Sequence, residues 1–521
     1  MSKPVSVWHV AREYAGVAEA GGVKDVVRGL AEAHARAGAE TSVVIPQYGF
    51  LPDELTSGEP IASFTLAMPD QDRSNAFFEE TIRIFAARLE GVRLLFVQAP
   101  RFADKRNVYV YTAEDEAGNH LRKKGTGHWD FHQMNLVLQK AALETAIALE
   151  ELPQVFHCHD GHTAFLPALV REDPRYAEPL AGAGTLLTIH NAGEGYHQEV
   201  WDKGFARLLT GLPDRVLEKG LIKDTVDPIL LAGSYAPLVT VSEQYAIELL
   251  DERGQEMSGG LGRALREKGI PLDGITNGVD PGPWDPRYPE KTGLRYRFDP
   301  LTGDLEGKRA CRKELTAALG MSNASQSAER PLYAFVGRLT GQKGIDVLFQ
   351  AIQKLLSDGS DCWFVVLGEG EKEKEAMLSW LASDASSRGR LVFVKRYDPR
   401  LATLIYAASD FLLVPSTYEP CGLTDFIAQL MGSIPIVHRV GGLVKVRDGE
   451  TGFSYDEQSG PALAAAVDRS AALFLENPQL LEQIRRTAFG EIFSAHTWDR
   501  VLARGYGPLY ERAAEDVWTR R

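Results

Sequence analysis

Short apolar runs that end in a glycine-bearing or polar loop and restart as a helix recur along this chain, and that rhythm admits few folds. Residues 5–10 read as a strand, 26–36 as a helix and 41–46 as a second strand, a βαβ opening. Residues 94–98, 155–157, 185–189 and 238–242 read as further buried strands, with helices over 142–149 and 243–250. The pattern resumes with strands at 333–336, 363–367, 391–394, 411–414 and 434–438 and a helix over 344–356. Strands alternating with helices predict an α/β chain whose sheets are mostly parallel and covered on both faces.

A single hydrophobic core stops growing at roughly 250–300 residues, so 521 residues imply at least two domains. The economical arrangement is two Rossmann-like domains facing a central cleft. The first is expected over residues 1–275. A stretch rich in Pro, Gly and charge over 276–330 reads as a connector and the start of the second domain. The second Rossmann-like domain follows over 331–490, and 491–521 is a closing helical segment, amphipathic over 498–510. The net charge of −14 opposes non-specific binding to nucleic acid or anionic membranes. No signal-peptide pattern and no apolar run of about 18 residues is present, so no membrane association is expected. Cys158, Cys311, Cys362 and Cys421 are too widely spaced for a zinc pattern or a disulfide framework, which favours reduced thiols and a cytoplasmic location.

Several loops carry groups suited to chemistry. Glu19-Ala20-Gly21-Gly22-Val23-Lys24-Asp25 joins the first strand to its helix. Paired glycines let backbone approach a ligand, and the helix N-terminus behind them favours a phosphate; a plain tight turn has the same composition. The spacing is not Gly-x-Gly-x-x-Gly, so no nicotinamide fingerprint is present. His157-Cys158-His159-Asp160-Gly161-His162 closes another strand. Metal binding is disfavoured there, because His157 and His159 alternate around an extended backbone and no His-Glu-x-x-His helix occurs. Hydrogen bonding to a sugar and a structural role both remain open.

In the second half, Gly337-Arg338-Leu339-Thr340-Gly341-Gln342-Lys343-Gly344 follows a strand and precedes a helix. Its Arg and Lys can converge on a diphosphate, one as a rigid fork and the other as a point charge, or stay solvated on a surface loop. Glu419-Pro420-Cys421-Gly422-Leu423-Thr424 has the same placement, with Glu419 either holding sugar hydroxyls or capping the helix. Gly441-Gly442-Leu443 offers another close backbone approach or a turn.

Together and in this order, the motifs resemble those of the bacterial glycogen synthases and plant starch synthases, retaining glycosyltransferases of the GT-B fold. The resemblance covers nearly the whole chain, through residues 19–26, 157–163, 188–191, 239–245, 274–286, 336–344, 415–424 and 441–443. It implies transfer of glucose from a nucleoside-diphosphate glucose, ADP-glucose favoured and UDP-glucose possible, to the non-reducing end of an α-1,4-glucan. By resemblance, His162 lies beside the donor sugar, Arg338 and Lys343 meet the diphosphate, and Glu419 sits near the reacting sugar. Gly21, Gly22 and Asp25 belong to the N-terminal donor and acceptor loop, and Asn191 to a His-Asn segment. Cys421, Gly422, Leu423, Thr424, Gly441 and Gly442 complete the binding set. The resemblance also implies an acceptor-side N-terminal domain, a nucleotide-sugar-binding second domain, and a closing helix that crosses back to the first. No metal and no cofactor are expected, the nucleotide-sugar being a co-substrate. The partners are the glucan and the donor, with no nucleic acid.

The chain departs from the family pattern at chosen places. Glu19 stands where the family has a lysine, a reversal of charge that works against a diphosphate. Asp425 stands in place of the usual Gln, and Val444-Lys445-Val446 in place of an Asp-Thr-Val segment, so that Lys445 offers itself as a replacement charge near the phosphates. The loop 192–196 also differs from the usual acceptor-side segment. A same-fold transferase with a different acceptor, a pyridoxal-dependent phosphorylase and a catalytically impaired carbohydrate-binding or regulatory homologue are the alternatives. No convincing lysine context for pyridoxal stands out.

Overall fold

The computed structural model describes residues 4–69, 77–193, 195–251, 258–321, 330–387 and 389–519. The chain divides into two compact units, Met1–Gly278 together with Trp498–Arg521, and Val279–Thr497.

In the first unit the strands are β1 (Val7–Val10), β2 (Thr41–Pro46), β3 (Ala62–Pro69), β4 (Phe77–Leu89), β5 (Val92–Gln98), β6 (Val155–His159), β7 (Gly184–Ile189), β8 (Leu221–Ile222), β9 (Thr225–Val226), β10 (Leu238–Thr240) and β11 (Leu272–Gly274). Nine of them form one sheet in the order β11-β10-β7-β6-β1-β2-β5-β4-β3, while β8 and β9 make a separate small hairpin. Val7 of β1 pairs in parallel with Thr41 on one side and with Val155 on the other. The chain therefore builds outward from β1 in one direction and later returns to extend the sheet in the other. That reversal opens a crevice between the carboxyl ends of β1 and β6, where ligands bind in open α/β sheets. The β3–β4 pair is antiparallel. It was not anticipated, because β4 is half-exposed and alternates in burial, unlike the continuous apolar strands beside it.

The second unit contains β12 (Leu332–Val336), β13 (Trp363–Leu367), β14 (Leu391–Val394), β15 (Phe411–Val414), β16 (Ile434–His438) and β17 (Phe453–Tyr455), ordered β14-β13-β12-β15-β16-β17 and parallel throughout. The two-residue period of each strand divides its side chains between two cores. Tyr333, Phe335, Phe364, Val366, Phe411 and Leu413 enter one. Leu332, Ala334, Trp363, Val365, Leu412 and Val414 enter the other. The order reverses between β12 and β15, so a second crevice opens at their carboxyl ends.

Most strands fall where the apolar runs predict, but one helix differs. The helix read over 142–149 runs from Phe131 to Ala148, with Gln133, Asn135 and Gln139 all buried. A helix buried nearly all round, polar residues included, shows no amphipathic stripe and so hides its own start. The stretch over 276–330, read as a connector and the start of the second domain, falls from Val279 in the second unit. Its helix Glu306–Ala318 packs Cys311 and Leu315 into the core, and the buried Lys308 ammonium donates to Ala407 O at 2.9 Å and Met431 O at 3.2 Å.

The closing segment joins the first unit from Trp498. It is broken into Trp498–Val501, a π turn at Leu502–Tyr506 and the helix Gly507–Thr519. Pro508 lacks the N–H that a continuous helix needs, which accounts for the interruption. Tyr506 and Tyr510 lie over the sheet, where the Tyr510 hydroxyl is 2.9 Å from His157 Nδ1. Trp498 rests directly on the backbone of Gly29 and Gly278. A Cβ at Gly29 would stand 2.0 Å from the indole nitrogen. Among the described residues no helix is long and apolar enough to cross a membrane. All four cysteines are buried and unbridged.

Gly29→Ala tests the Trp498 contact. Helix propensity alone favours Ala by about 1 kcal/mol. Displacement of the indole is expected to outweigh this and leave a net loss of about 1–3 kcal/mol in chemical denaturation. A stabilised variant would show that Trp498 does not pack there.

Candidate active site

At the β12–β15 crevice two loops touch backbone to backbone. Gly344 has φ +69°, and a Cβ there would lie 1.8 Å from Pro415 O, so only glycine permits the approach. Thr417 N donates to Gln342 O at 2.9 Å, and the Gln342 amide donates to Tyr418 O at 3.2 Å. This contact brings Lys343 Nζ to 2.6 Å from Glu419 Oε2, which also accepts from Ser416 Oγ at 2.9 Å. Glu419 is buried and fixed from two sides, whereas Lys343 keeps 22 % of its side chain exposed. Arg338 is exposed, and its guanidinium pairs with no described residue. The edge of this crevice thus combines an open guanidinium, a part-exposed ammonium and an oriented carboxylate.

Beyond Glu419, Cys421 and Gly422 are buried and Leu423 and Thr424 half-buried, leading into the helix Thr424–Leu430. Gly441 and Gly442 sit behind this loop. A Cβ at Gly441 would meet Glu419 O at 2.0 Å, one at Gly442 would meet Cys421 O at 2.1 Å, and Gly442 N already donates to Glu419 O at 3.0 Å. Both glycines are buried, and their close approach is to protein backbone. Lys445 differs from its sequence reading. Its ammonium is enclosed and donates to the carbonyls of Cys421, Gly422 and Gly442 at 2.6–3.0 Å, and it pairs with the buried Asp425 at 3.0 Å. It is a structural cation and no longer a free charge for phosphates.

At the β1–β6 crevice of the first unit, Asp160 adopts φ 60° and ψ 179°, a region essentially reserved for glycine. Its carboxylate accepts from His190 N at 2.6 Å and Asn191 N at 3.4 Å, tying the end of β6 to the end of β7. Burial raises the Asp160 pKa to about 7 against the lowering effect of those amides. His162, one turn on, is buried with its ring 5.0 Å from that of Tyr109, and burial holds it neutral. The Asn191 side chain accepts from Gly193 N at 2.8 Å. Residue 194, within the divergent loop, lies outside the described residues. The far end of that loop is held by His197, whose Nε2 is 2.8 Å from Ala192 O and whose Nδ1 is 2.8 Å from Asp227. Burial disfavours its charge, but Asp227 outweighs burial and lifts its pKa to about 9.

The glycine loop after β1 is organised from within. Buried Glu13 accepts from Ala20 N at 3.0 Å and Gly21 N at 2.5 Å, with the Tyr109 hydroxyl on its other oxygen. The Gly21 amide therefore already has a partner, while Gly21 and Gly22 remain exposed along their backbone. Asp25 pairs with its neighbour Lys24 at 3.0 Å. Glu19 accepts from Gly16 N at 2.6 Å, closing a turn.

A family model described as the starch synthase catalytic domain matches residues 6–267, and one for group 1 glycosyl transferases matches residues 322–490. The chain belongs to the glycogen and starch synthase family. It is 31 % identical over 519 residues to a glycogen synthase of Syntrophotalea carbinolica, covering 97 % of this chain and 98 % of that one. A glycogen synthase of Aeromonas salmonicida is 28 % identical, covering 98 % of each chain. The solved catalytic domain of starch synthase IV from Arabidopsis thaliana, bound to ADP and acarbose, superposes with a TM-score of 0.79 at 26 % identity, over 98 % of this chain and 100 % of that one. The two parallel-sheet units are those of the GT-B fold, and the chain is a glycosyltransferase of this family.

In this synthase-family chain the histidines are arranged differently from their sequence reading. Residues two apart on a strand share a face, so His157 and His159 gather with His9 of the neighbouring strand, with potential ligand atoms within 4.8 Å of one another. The nitrogens of His157 and His159 nevertheless all have other partners. His9 Nδ1 is 3.1 Å from His159 Nε2, and His159 Nδ1 is 2.9 Å from His190 Nε2. His157 meets Tyr510 and Thr188. Burial lowers the pKa values of His9 and His190 to about 3, so this is a row of neutral rings. His190 and Glu13 were missed as site residues. His190 stood next to Asn191 in the singled-out segment and was the available signal; Glu13 lies outside every motif and acts through the amides of Ala20 and Gly21 and the distant Tyr109 hydroxyl.

Two outcomes follow. Glu19→Lys is expected to lose the Gly16 turn contact at a cost of about 1 kcal/mol, while donor affinity by calorimetry stays the same or improves. A clear loss of donor affinity would make Glu19 an adapted contact. Because the folded pKa of His197 is raised, its contribution to stability is complete below about 6.5 and disappears as pH rises through about 9. Wild type should therefore lose more urea resistance than His197→Gln between pH 6.5 and 9.5; equal slopes would refute the clamp.

Proposed function

We propose that this chain transfers glucose from a nucleoside-diphosphate glucose to the 4-hydroxyl at the non-reducing end of an α-1,4-glucan, with the α configuration retained. The observation that carries this reading is the 2.6 Å contact between Lys343 and Glu419, with Arg338 on the same loop as Lys343 and paired with no described residue, at the switch point of the second sheet. Breaking the bond between glucose C1 and the β-phosphate oxygen builds negative charge on the departing nucleoside diphosphate, and preorganised cations are the largest aid to such a step. Arg338 and Lys343 meet the leaving diphosphate. Glu419, already fixed by Lys343 and Ser416, orients glucose hydroxyls. Glu419 is held as an acceptor and not presented as a nucleophile, which favours same-face attack with the leaving phosphate taking the acceptor proton. ADP-glucose is the favoured donor: the starch synthase IV domain that this chain resembles is a complex with ADP and acarbose. The nucleotide-sugar serves as co-substrate, and no further cofactor enters this scheme. Four unbridged cysteines support a cytoplasmic setting.

The test is glucose transfer from ADP-, UDP- and GDP-glucose to glycogen and to maltose, with linkage analysis of the product. Retained α-1,4 transfer supports the reading and names the donor. No transfer by folded protein would refute it and favour a different acceptor or a carbohydrate-binding role. Arg338→Ala should lower kcat/KM by about 10²–10³-fold while stability changes by under about 0.5 kcal/mol, since the side chain is exposed. Unchanged turnover would remove Arg338 from the diphosphate site. Lys343→Ala should also lower turnover, but it leaves the buried Glu419 without its cation, so Arg338 gives the cleaner result.

A further inference from the structure

Asp425 and Lys445 are separate departures from the family pattern, and the structure makes them one contact. The Asp425 side chain is fully buried and that of Lys445 is 8 % exposed, with 3.0 Å between carboxylate and ammonium. Lys445 Nζ also donates to Cys421 O at 2.6 Å, Gly422 O at 3.0 Å and Gly442 O at 3.0 Å, and lies 4.4 Å from the centre of the Phe426 ring. An ammonium has three protons, and here four acceptors surround them, so none is left for a ligand. The consequence falls on the loop. In a trans peptide the C=O and N–H point in opposite directions. Turning the Cys421 and Gly422 carbonyls toward Lys445 turns the N–H groups of Gly422 and Leu423 away from it, and among the described residues neither N–H has a partner. Gly422, at φ +80°, permits the conformation.

We propose that the Asp425–Lys445 pair is a positioning device: it holds the peptide groups of Cys421–Leu423 so that two backbone N–H donors face the diphosphate of the donor, with no contact between Lys445 and the phosphates. This rests on the reading above that the loop takes the donor.

The experiment is calorimetric titration of the full chain with ADP, and with UDP in parallel, for wild type, Lys445→Met, Asp425→Asn and the double variant Asp425→Asn/Lys445→Met, with thermal unfolding and maltoheptaose binding as controls. Lys445→Met leaves a buried carboxylate unpaired and is expected to destabilise the fold; the double variant leaves no such charge and keeps the measurement interpretable. Positioning predicts that the double variant loses about tenfold in nucleoside-diphosphate affinity with maltoheptaose binding unchanged. It also predicts that Asp425→Asn weakens affinity in the same direction and that the two substitutions are non-additive. Direct contact predicts the reverse for Asp425→Asn, since freeing the ammonium would tighten binding. Tighter binding by Asp425→Asn, or wild-type affinity in the double variant, overturns the positioning role alone. Wild type that binds neither ADP nor UDP overturns both this inference and the donor reading beneath it.

Discussion

In both units helices cover a largely parallel sheet, so the groups able to meet a ligand are confined to loops at the carboxyl ends of the strands. In each unit the candidate residues are placed by how those loops are held. At β12–β15 the holding is backbone against backbone, through a glycine that cannot carry a Cβ. At β1–β6 it is done by carboxylates that accept backbone N–H groups, Glu13 for the glycine loop and Asp160 for the ends of β6 and β7. Neither crevice relies on surface ion pairs, which contribute little and exchange readily with solvent.

The electrostatics of the two loop clusters differ in kind. The first unit gathers imidazoles that burial keeps neutral, able to donate or accept without carrying charge. The second gathers cations graded by freedom: Arg338 open, Lys343 shared with Glu419, Lys445 enclosed. Asp160 adds strain at the point where the sheet reverses; its backbone is held in a glycine-like conformation by two amides and a tight fit at Gly161, whose Cβ would meet His197 O at 2.1 Å.

Departures from a family pattern read differently once contacts are known. Glu19 looks like a charge in the wrong place, yet its carboxylate closes a turn on Gly16. Lys445 looks like a compensating phosphate ligand, yet its three protons go to carbonyls and its charge pairs with Asp425. Gly441 and Gly442 look like ligand-approach glycines, and they approach the backbone of Glu419 and Cys421. In each case residue type was informative about chemistry, and the partner was not readable.

Local sequence alone determined the alternation of buried strands and helices, the positions of most strands, the α/β class and the loops in which reactive groups would lie. Those features depend on burial period and on glycine and cap chemistry within a few residues. Tertiary structure decided which of those groups already bind one another. Lys343 meets Glu419 across 76 residues and His9 meets His159 across 150, and both contacts depend on strand order in a sheet. At the half-exposed β3–β4 edge burial alternates without a continuous apolar run to mark the strands, and in the mostly apolar helix Phe131–Ala148 neighbours distant in sequence cover Gln133, Asn135 and Gln139 as well.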